Sequence, residues 1–170
     1  MTWYREAEQE LAEAAAAVQR QGPIRLERLE VLGADLVASL KQSDDLVVQA
    51  LSGPAGPPLI TNLINVGILG SKVGIGLGYY GKELDRLALA GLVHDIGLFA
   101  VPQSLVTKAG RLTQDERMMI EQHPELGYQL MHQMGPEYHW LAQLIRQAHE
   151  RFNGRGYPNR LAERQVCEMA

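Results

Sequence analysis

The strongest constraint on the fold is a long apolar run over residues 59–80, in which Gly67, Gly70, Ser71, Gly74 and Gly78 recur three or four positions apart. On a helix this spacing gathers the small residues onto one narrow face. Each glycine inside a helix costs about 1 kcal/mol relative to alanine, so a close backbone contact with a neighbour is the natural compensation. The run is long enough to cross a membrane, but it carries Asn62, Asn65 and Lys72 and reads as a buried helix, leaving no membrane span in the chain. Gly70-Ser71-Lys72 does not fit the P-loop pattern, and Gly74-Ile75-Gly76-Leu77-Gly78 lacks the dinucleotide-binding spacing.

Helical periodicity extends to the rest of the chain. Trp3, Ala7, Leu11 and Ala15 fall on one stripe of a helix over residues 3–20, ended by Gly22 and Pro23. Leu29, Leu32, Leu36 and Leu40 mark a second helix over 26–40, and Ser43 is placed to cap a shorter one through Leu51. The GPAGPP stretch at 53–58 is the clearest loop, dividing an N-terminal helical segment (1–52) from a core at 59–170. Residues 82–96 place Leu84, Leu87, Leu89, Leu92, Val93 and Ile96 in one more apolar helix, which Gly97 closes. Thr113-Gln114-Asp115-Glu116 is a capping box, His123-Pro124 restarts the helix after a break, Gly135-Pro136 stops it, and a last helix covers 137–150. No segment alternates as a strand does, and the chain reads as all-α: a helical bundle with an N-terminal helical arm.

With 170 residues, 46% of them hydrophobic, the chain can bury a core of its own. Its net charge of -4 argues against binding long nucleic acid, although a local basic pocket for a small anion stays open. The acidic opening MTWYREAEQEL shows no signal peptide, and the single Cys167 cannot form an internal disulfide, so a cytoplasmic location is expected.

All 5 histidines, His94, His123, His132, His139 and His149, lie in the second half. His94 and Asp95 are adjacent at the end of an apolar helix, where burying a carboxylate beside an imidazole is costly unless something receives both. A metal such as Fe, Mn or Zn suits that donor set. A helix-terminal pair bonded to local backbone groups meets the same need. His132 and His139 read as surface or interhelical residues, and Met118, Met119, Met131 and Met134 as core filler. Cys167 has no base in a recognisable pairing.

The string LALAGLVHDIGLFAVPQSLVTKAGRLTQDERMMIEQHPELGYQLM, followed by AHERFNGRGYPNRL, sets these residues in a known order. His94-Asp95-x-Gly97, Pro102, Leu112-Thr113 with Glu116, His123-Pro124-x-x-Gly127, His149-Glu150 and Gly154-x-Gly156-Tyr157-Pro158 together resemble the HD-GYP family, a branch of the HD phosphohydrolase superfamily. The resemblance covers residues 59–161. It implies an all-helical HD domain with a divalent transition-metal centre (Fe, Mn or similar) that hydrolyses cyclic di-GMP to pGpG and sometimes on to GMP. In such a centre the metals lower the pKa of water, orient the phosphate and neutralise developing charge. His94, Asp95, His123 and His149 match metal ligands, with Asp95 as the bridging, catalytic carboxylate. Gly154, Arg155, Gly156, Tyr157 and Pro158 match the substrate-facing motif, where Gly154 and Gly156 allow a tight loop with positive φ. Arg155 either faces phosphate or is solvated. The implied partners are a cyclic dinucleotide and signalling proteins such as GGDEF-type cyclases, and a homodimer is compatible with them.

The chain also departs from the family pattern. Asn62 stands where the family has an early ligand histidine, Leu98 where it has a lysine, Ala148 where it has the first of two paired histidines, and Asn153 where it has an aspartate. The sequence stops at Ala170, before the helix that bears the family's late metal-binding aspartate, so an incomplete domain is expected. The expectation is weakened or lost catalysis. The alternative is a catalytically silent regulatory module that binds nucleotide or partner proteins.

Overall fold

The structure is a computed structural model that describes residues 2–53 and 56–169, so Pro54 and Ala55 of the expected loop lie outside the described residues. The chain forms two compact units, Met1–Val93 and His94–Ala170.

The first unit consists of α1 (Thr2–Gln19), α2 (Leu26–Leu40), α3 (Asp45–Leu51), α4 (Pro58–Gly76) and α5 (Gly81–Val93). The α1 stripe turns inward as its spacing predicts, with Ala7 and Leu11 fully buried. The chain leaves α1 through Gln21 at φ 54. The Gly22 amide closes the end of α1 on the Ala17 carbonyl at 2.9 Å. Leu26, Leu29, Leu36, Leu40, Leu63, Ile64, Ile68, Leu84 and Leu92 are fully buried. Each such side chain contributes about 1.5 to 3 kcal/mol relative to exposure, which makes this core the chief stabiliser of the unit. Asp44, not Ser43, takes the N-cap position of α3. The Ser43 hydroxyl lies one residue further back, 3.5 Å from the Asp45 amide.

The close contact expected of α4 is made against α5, but by fewer residues than the spacing suggests. A Cβ added at Gly91 would lie 2.7 Å from Gly67 Cα, and one at Gly67 would lie 2.9 Å from Leu92 Cδ2. One at Gly74 would press on Leu87 and reach Leu84 at 3.2 Å. Gly70 and Gly78 have nothing within 4 Å and take no part. Gly78 instead terminates α4 with φ 88, so the helix ends about a turn before Tyr80. By length and composition α4 is apolar enough to cross a membrane. Two of its polar residues are tied to neighbouring elements: Asn65 Nδ2 donates to the Ala50 carbonyl (3.2 Å) and its Oδ1 accepts from the Tyr4 hydroxyl (3.3 Å). Lys72 pairs with Asp44.

The second unit opens with His94 and Asp95, followed by a 3-10 helix (Ile96–Ala100), α6 (Gln103–Val106), α7 (Gln114–Ile120), α8 (His123–His132), a 3-10 turn (Pro136–Tyr138) and α9 (His139–Gln147). Thr113 caps α7 through the expected box with Glu116. The helix expected over 82–96 ends earlier, at Val93. Gly97 does not close it. A Cβ there would run into the His123 carbonyl and lie 2.7 Å from the Gly127 amide nitrogen, so glycine is required by the close approach of α8. The last helix is shorter at both ends than 137–150, which leaves His149 beyond it. Met131 is fully buried as expected of core filler, whereas Met118 and Met119 are exposed on α7, a helix that buries none of its residues. Among the described residues there is no strand, only a single bridge between Asn153 and Ala162. The fold is all-α.

Candidate metal centre

Three breaks in helical structure supply the site. His94 and Asp95 occupy the turn before the 3-10 helix, His123 begins α8 and His149 follows α9. Asp95 is 7% exposed. Its Oδ1 lies 3.1 Å from His123 Nε2 and 2.7 Å from His149 Nε2. Its Oδ2 lies 3.2 Å from His94 Nε2. The structure thus brings together all four residues expected as ligands. Of these, Asp95, His123 and His149 offer ligand atoms that lie within 4.8 Å of one another.

The second nitrogen of His123 decides what this cluster can hold. Its Nδ1 is 2.8 Å from the Ile120 carbonyl oxygen. A carbonyl only accepts, so Nδ1 carries the proton, and in the neutral ring Nε2 presents a lone pair. That lone pair faces the Asp95 carboxylate at 3.1 Å. Two acceptors at this distance repel unless a proton or a cation lies with them, and a backbone carbonyl orienting the far ring nitrogen is the usual support of a metal-binding histidine. The donor set therefore fits a divalent transition ion.

Burial alone would raise the Asp95 pKa, but where protons rather than a cation lie in these contacts, hydrogen bonds with His123, His149 and His94, and the charge of His94, hold the carboxyl well below the ordinary carboxylate range. Burial, then the charges of Asp95 and Glu121, push the Tyr157 phenol up to about 12 against the opposing Arg151. It is a neutral donor at ordinary pH. The Tyr157 ring stacks on His149 with centroids 5.0 Å apart and planes 5° apart. It also meets His123 edge-on at 6.1 Å.

Of the two loop glycines, Gly154 has the expected positive φ, at 67. Gly156 does not; its need is space, since a Cβ there would fall 2.6 Å from the Glu150 carbonyl carbon. The Arg155 amide donates to Asn153 Oδ1 at 3.0 Å while its side chain is exposed, and Pro158 is half-buried. Leu98 and Ala148, also half-buried, bring no donor atom. Asn62 is exposed on α4. His132 and His139 stack on each other at 4.1 Å, both exposed, and neither contributes to the cluster. Glu150 belongs to the motif, but motif reading gives it no role of its own. Its oxygens accept from the Asn159 amide at 2.6 Å and the Leu161 amide at 2.9 Å. The signal was available: an irregular segment after a helix must find acceptors for its backbone N–H groups.

Residues 69–170 match the family model described as HD domain. The chain belongs to the HD domain family, and its ordered motifs resemble those of the HD-GYP branch. It is 36% identical over 86 residues to the cyclic di-GMP phosphodiesterase response regulator RpfG of Xanthomonas campestris pv. campestris, covering 50% of this chain and 23% of that protein. To the cyclic di-GMP phosphodiesterase PA4108 of Pseudomonas aeruginosa it is 37% identical over 82 residues, covering 48% and 20%. To the 3'3'-cGAMP-specific phosphodiesterase 2 of Vibrio cholerae it is 33% identical over 81 residues, covering 47% and 16%. The chain spans about a fifth of the length of these curated relatives.

Proposed function

We propose that residues 59–170 form an HD-GYP-type metal-dependent phosphohydrolase domain of cyclic di-GMP signalling, with weakened catalysis. The observation that carries this reading is the pair of acceptors, His123 Nε2 and Asp95 Oδ1, facing each other at 3.1 Å while Nδ1 of the same ring donates to the Ile120 carbonyl. Asp95, His123 and His149 would hold a divalent ion such as Fe or Mn, with His94 steadying the other oxygen of Asp95. A bound ion supplies positive charge against a phosphodiester. The neutral Tyr157 phenol offers a hydrogen bond beside it, and Gly154, Arg155, Gly156 and Pro158 form the loop toward the substrate, Arg155 with an exposed guanidinium for phosphate.

The printed activities of the relatives support a cyclic dinucleotide as the substrate class. Weakening follows from Ala148 and Leu98, which add neither a ligand nor a positive charge. Those positions also favour a second reading, a silent module that binds nucleotide or a partner such as a GGDEF-type cyclase in the cytoplasm. Elemental analysis of metal content, with turnover of cyclic di-GMP and 3'3'-cGAMP in added Mn or Fe, tests both. Bound metal with slow turnover abolished by Asp95→Ala supports the enzyme. Nucleotide binding without turnover supports the silent module, and absence of bound metal overturns the metal reading.

A further inference from the structure

Beyond α9 the chain runs from residue 148 to 169 with one short 3-10 turn and one isolated bridge, so little regular structure receives its backbone N–H groups. Side chains at the end of α9 and just past it receive several. Gln147 Oε1 accepts from the Cys167 amide at 2.7 Å. Glu150 Oε1 and Oε2 accept from Asn159 and Leu161 at 2.6 and 2.9 Å, on the far side of the loop that holds Tyr157. Within the loop the Tyr157 amide donates to the His149 carbonyl at 3.2 Å, and Gly156 lies so close to Glu150 that no Cβ fits between them. The ring thus held lies parallel on His149, whose Nε2 is 2.7 Å from Asp95.

We infer that Glu150 is a positioning residue: its carboxylate latches residues 159 and 161, which seats Tyr157 on His149 and fixes the imidazole that faces Asp95. The inference rests on the proposed metal centre for its consequence but not for its geometry. Groups that orient a ligand from behind change metal affinity by about 10- to 100-fold. Titration of the folded chain with Mn(II) alone should show about a tenfold loss of affinity in Glu150→Ala, with partial recovery in Glu150→Gln, which keeps one carbonyl acceptor. If the effect runs through the ring, Glu150→Ala adds nothing in a Tyr157→Ala background, because coupled positions are not additive. Amide exchange at Asn159 and Leu161 should quicken in the same variants. Additive losses at 150 and 157, or unchanged affinity and exchange in Glu150→Ala, overturn the inference. The near-isosteric Gln variant carries the test if the Ala variant does not fold. A wild-type chain that bound no Mn(II) would overturn the metal reading separately. The metal-free protein then decides the latch: loss of the Tyr157 ring-current shift on the His149 proton resonances in Glu150→Gln supports it, and an unchanged shift overturns it.

Discussion

Gly67 of α4 and Gly91 of α5 let two long helices of the first unit meet at backbone distance, whereas Gly97 of the second unit lies beneath the carbonyl of His123 and beside the amide of Gly127. The same lack of a Cβ serves different ends. In the first unit the neighbours include Leu84, Leu87 and Leu92 side chains, and the gain is apolar packing spread along two helices. At Gly97 the three nearest atoms are all backbone, and two of them belong to a candidate ligand. A flexible leucine can rotate away from an added methyl; a helix N-terminus can move only by carrying its histidine with it. Away from the backbone contact of Gly67 with Gly91, packing in the first unit therefore tolerates change by degrees, and at Gly97 the second unit couples its packing to its chemistry.

The largest effect that this contrast predicts is at Gly97. Gly97→Ala sets a methyl against the His123 carbonyl and the Gly127 amide, and should cost about 3 kcal/mol or more, since overpacking against backbone has little means of relief. Denaturant melts and Mn(II) titration of whatever folds should both worsen, because α8 cannot shift without displacing His123. A variant that lost stability and kept wild-type affinity would break the coupling.

Gly74→Leu should lower stability by about 1 to 3 kcal/mol through collision with Leu84 and Leu87. Mn(II) affinity should stay at the wild-type value. An unchanged melting temperature would mean that the α4 and α5 contact is looser than its geometry, and a parallel fall in affinity would erase the distinction between the units. Gly70→Ala, with nothing within 4 Å, is the internal control and should gain up to about 1 kcal/mol from helix propensity.

The same contrast explains what could be read from the amino-acid string. The boundaries of α2 coincide with those given by Leu29, Leu32, Leu36 and Leu40, because a single apolar stripe buried on one side determines both ends of a regular helix. The capping box at Thr113 and the restart at His123 were legible for a similar reason: each is a local rule with its residues close in sequence. Periodicity overran at Gly78, Ile96 and Glu150, where positive φ or tertiary contact stops a helix that the apolar pattern would continue. It also assigned Gly70 and Gly78 to a contact that depends on Gly91, a residue of another helix. His94 and Asp95 stood out as an adjacent pair at the end of an apolar helix, but their grouping with His123 and His149 came from motif order. Their convergence spans 54 residues between Asp95 and His149, a separation that no local pattern encodes. The role of Glu150 escaped because it lies in accepting from distant backbone amides, not in its residue type.

The smallest effect is in acid, and it separates the units by charge rather than by packing. His123, His149 and His94 hold the Asp95 carboxyl below its ordinary range, so the folded state keeps this group ionised where the unfolded chain would protonate it. A depressed folded pKa contributes stability that is present above the unfolded value, about 4, and is lost as pH falls below it. One proton changes stability by at most about 1.4 kcal/mol per pH unit, which bounds the slope. Between about pH 4 and pH 2 the urea midpoint of the wild-type protein should therefore fall more steeply than that of Asp95→Asn, which cannot take up the proton. Parallel curves for the two proteins would show that the three imidazoles do not favour the ionised carboxylate in the folded state.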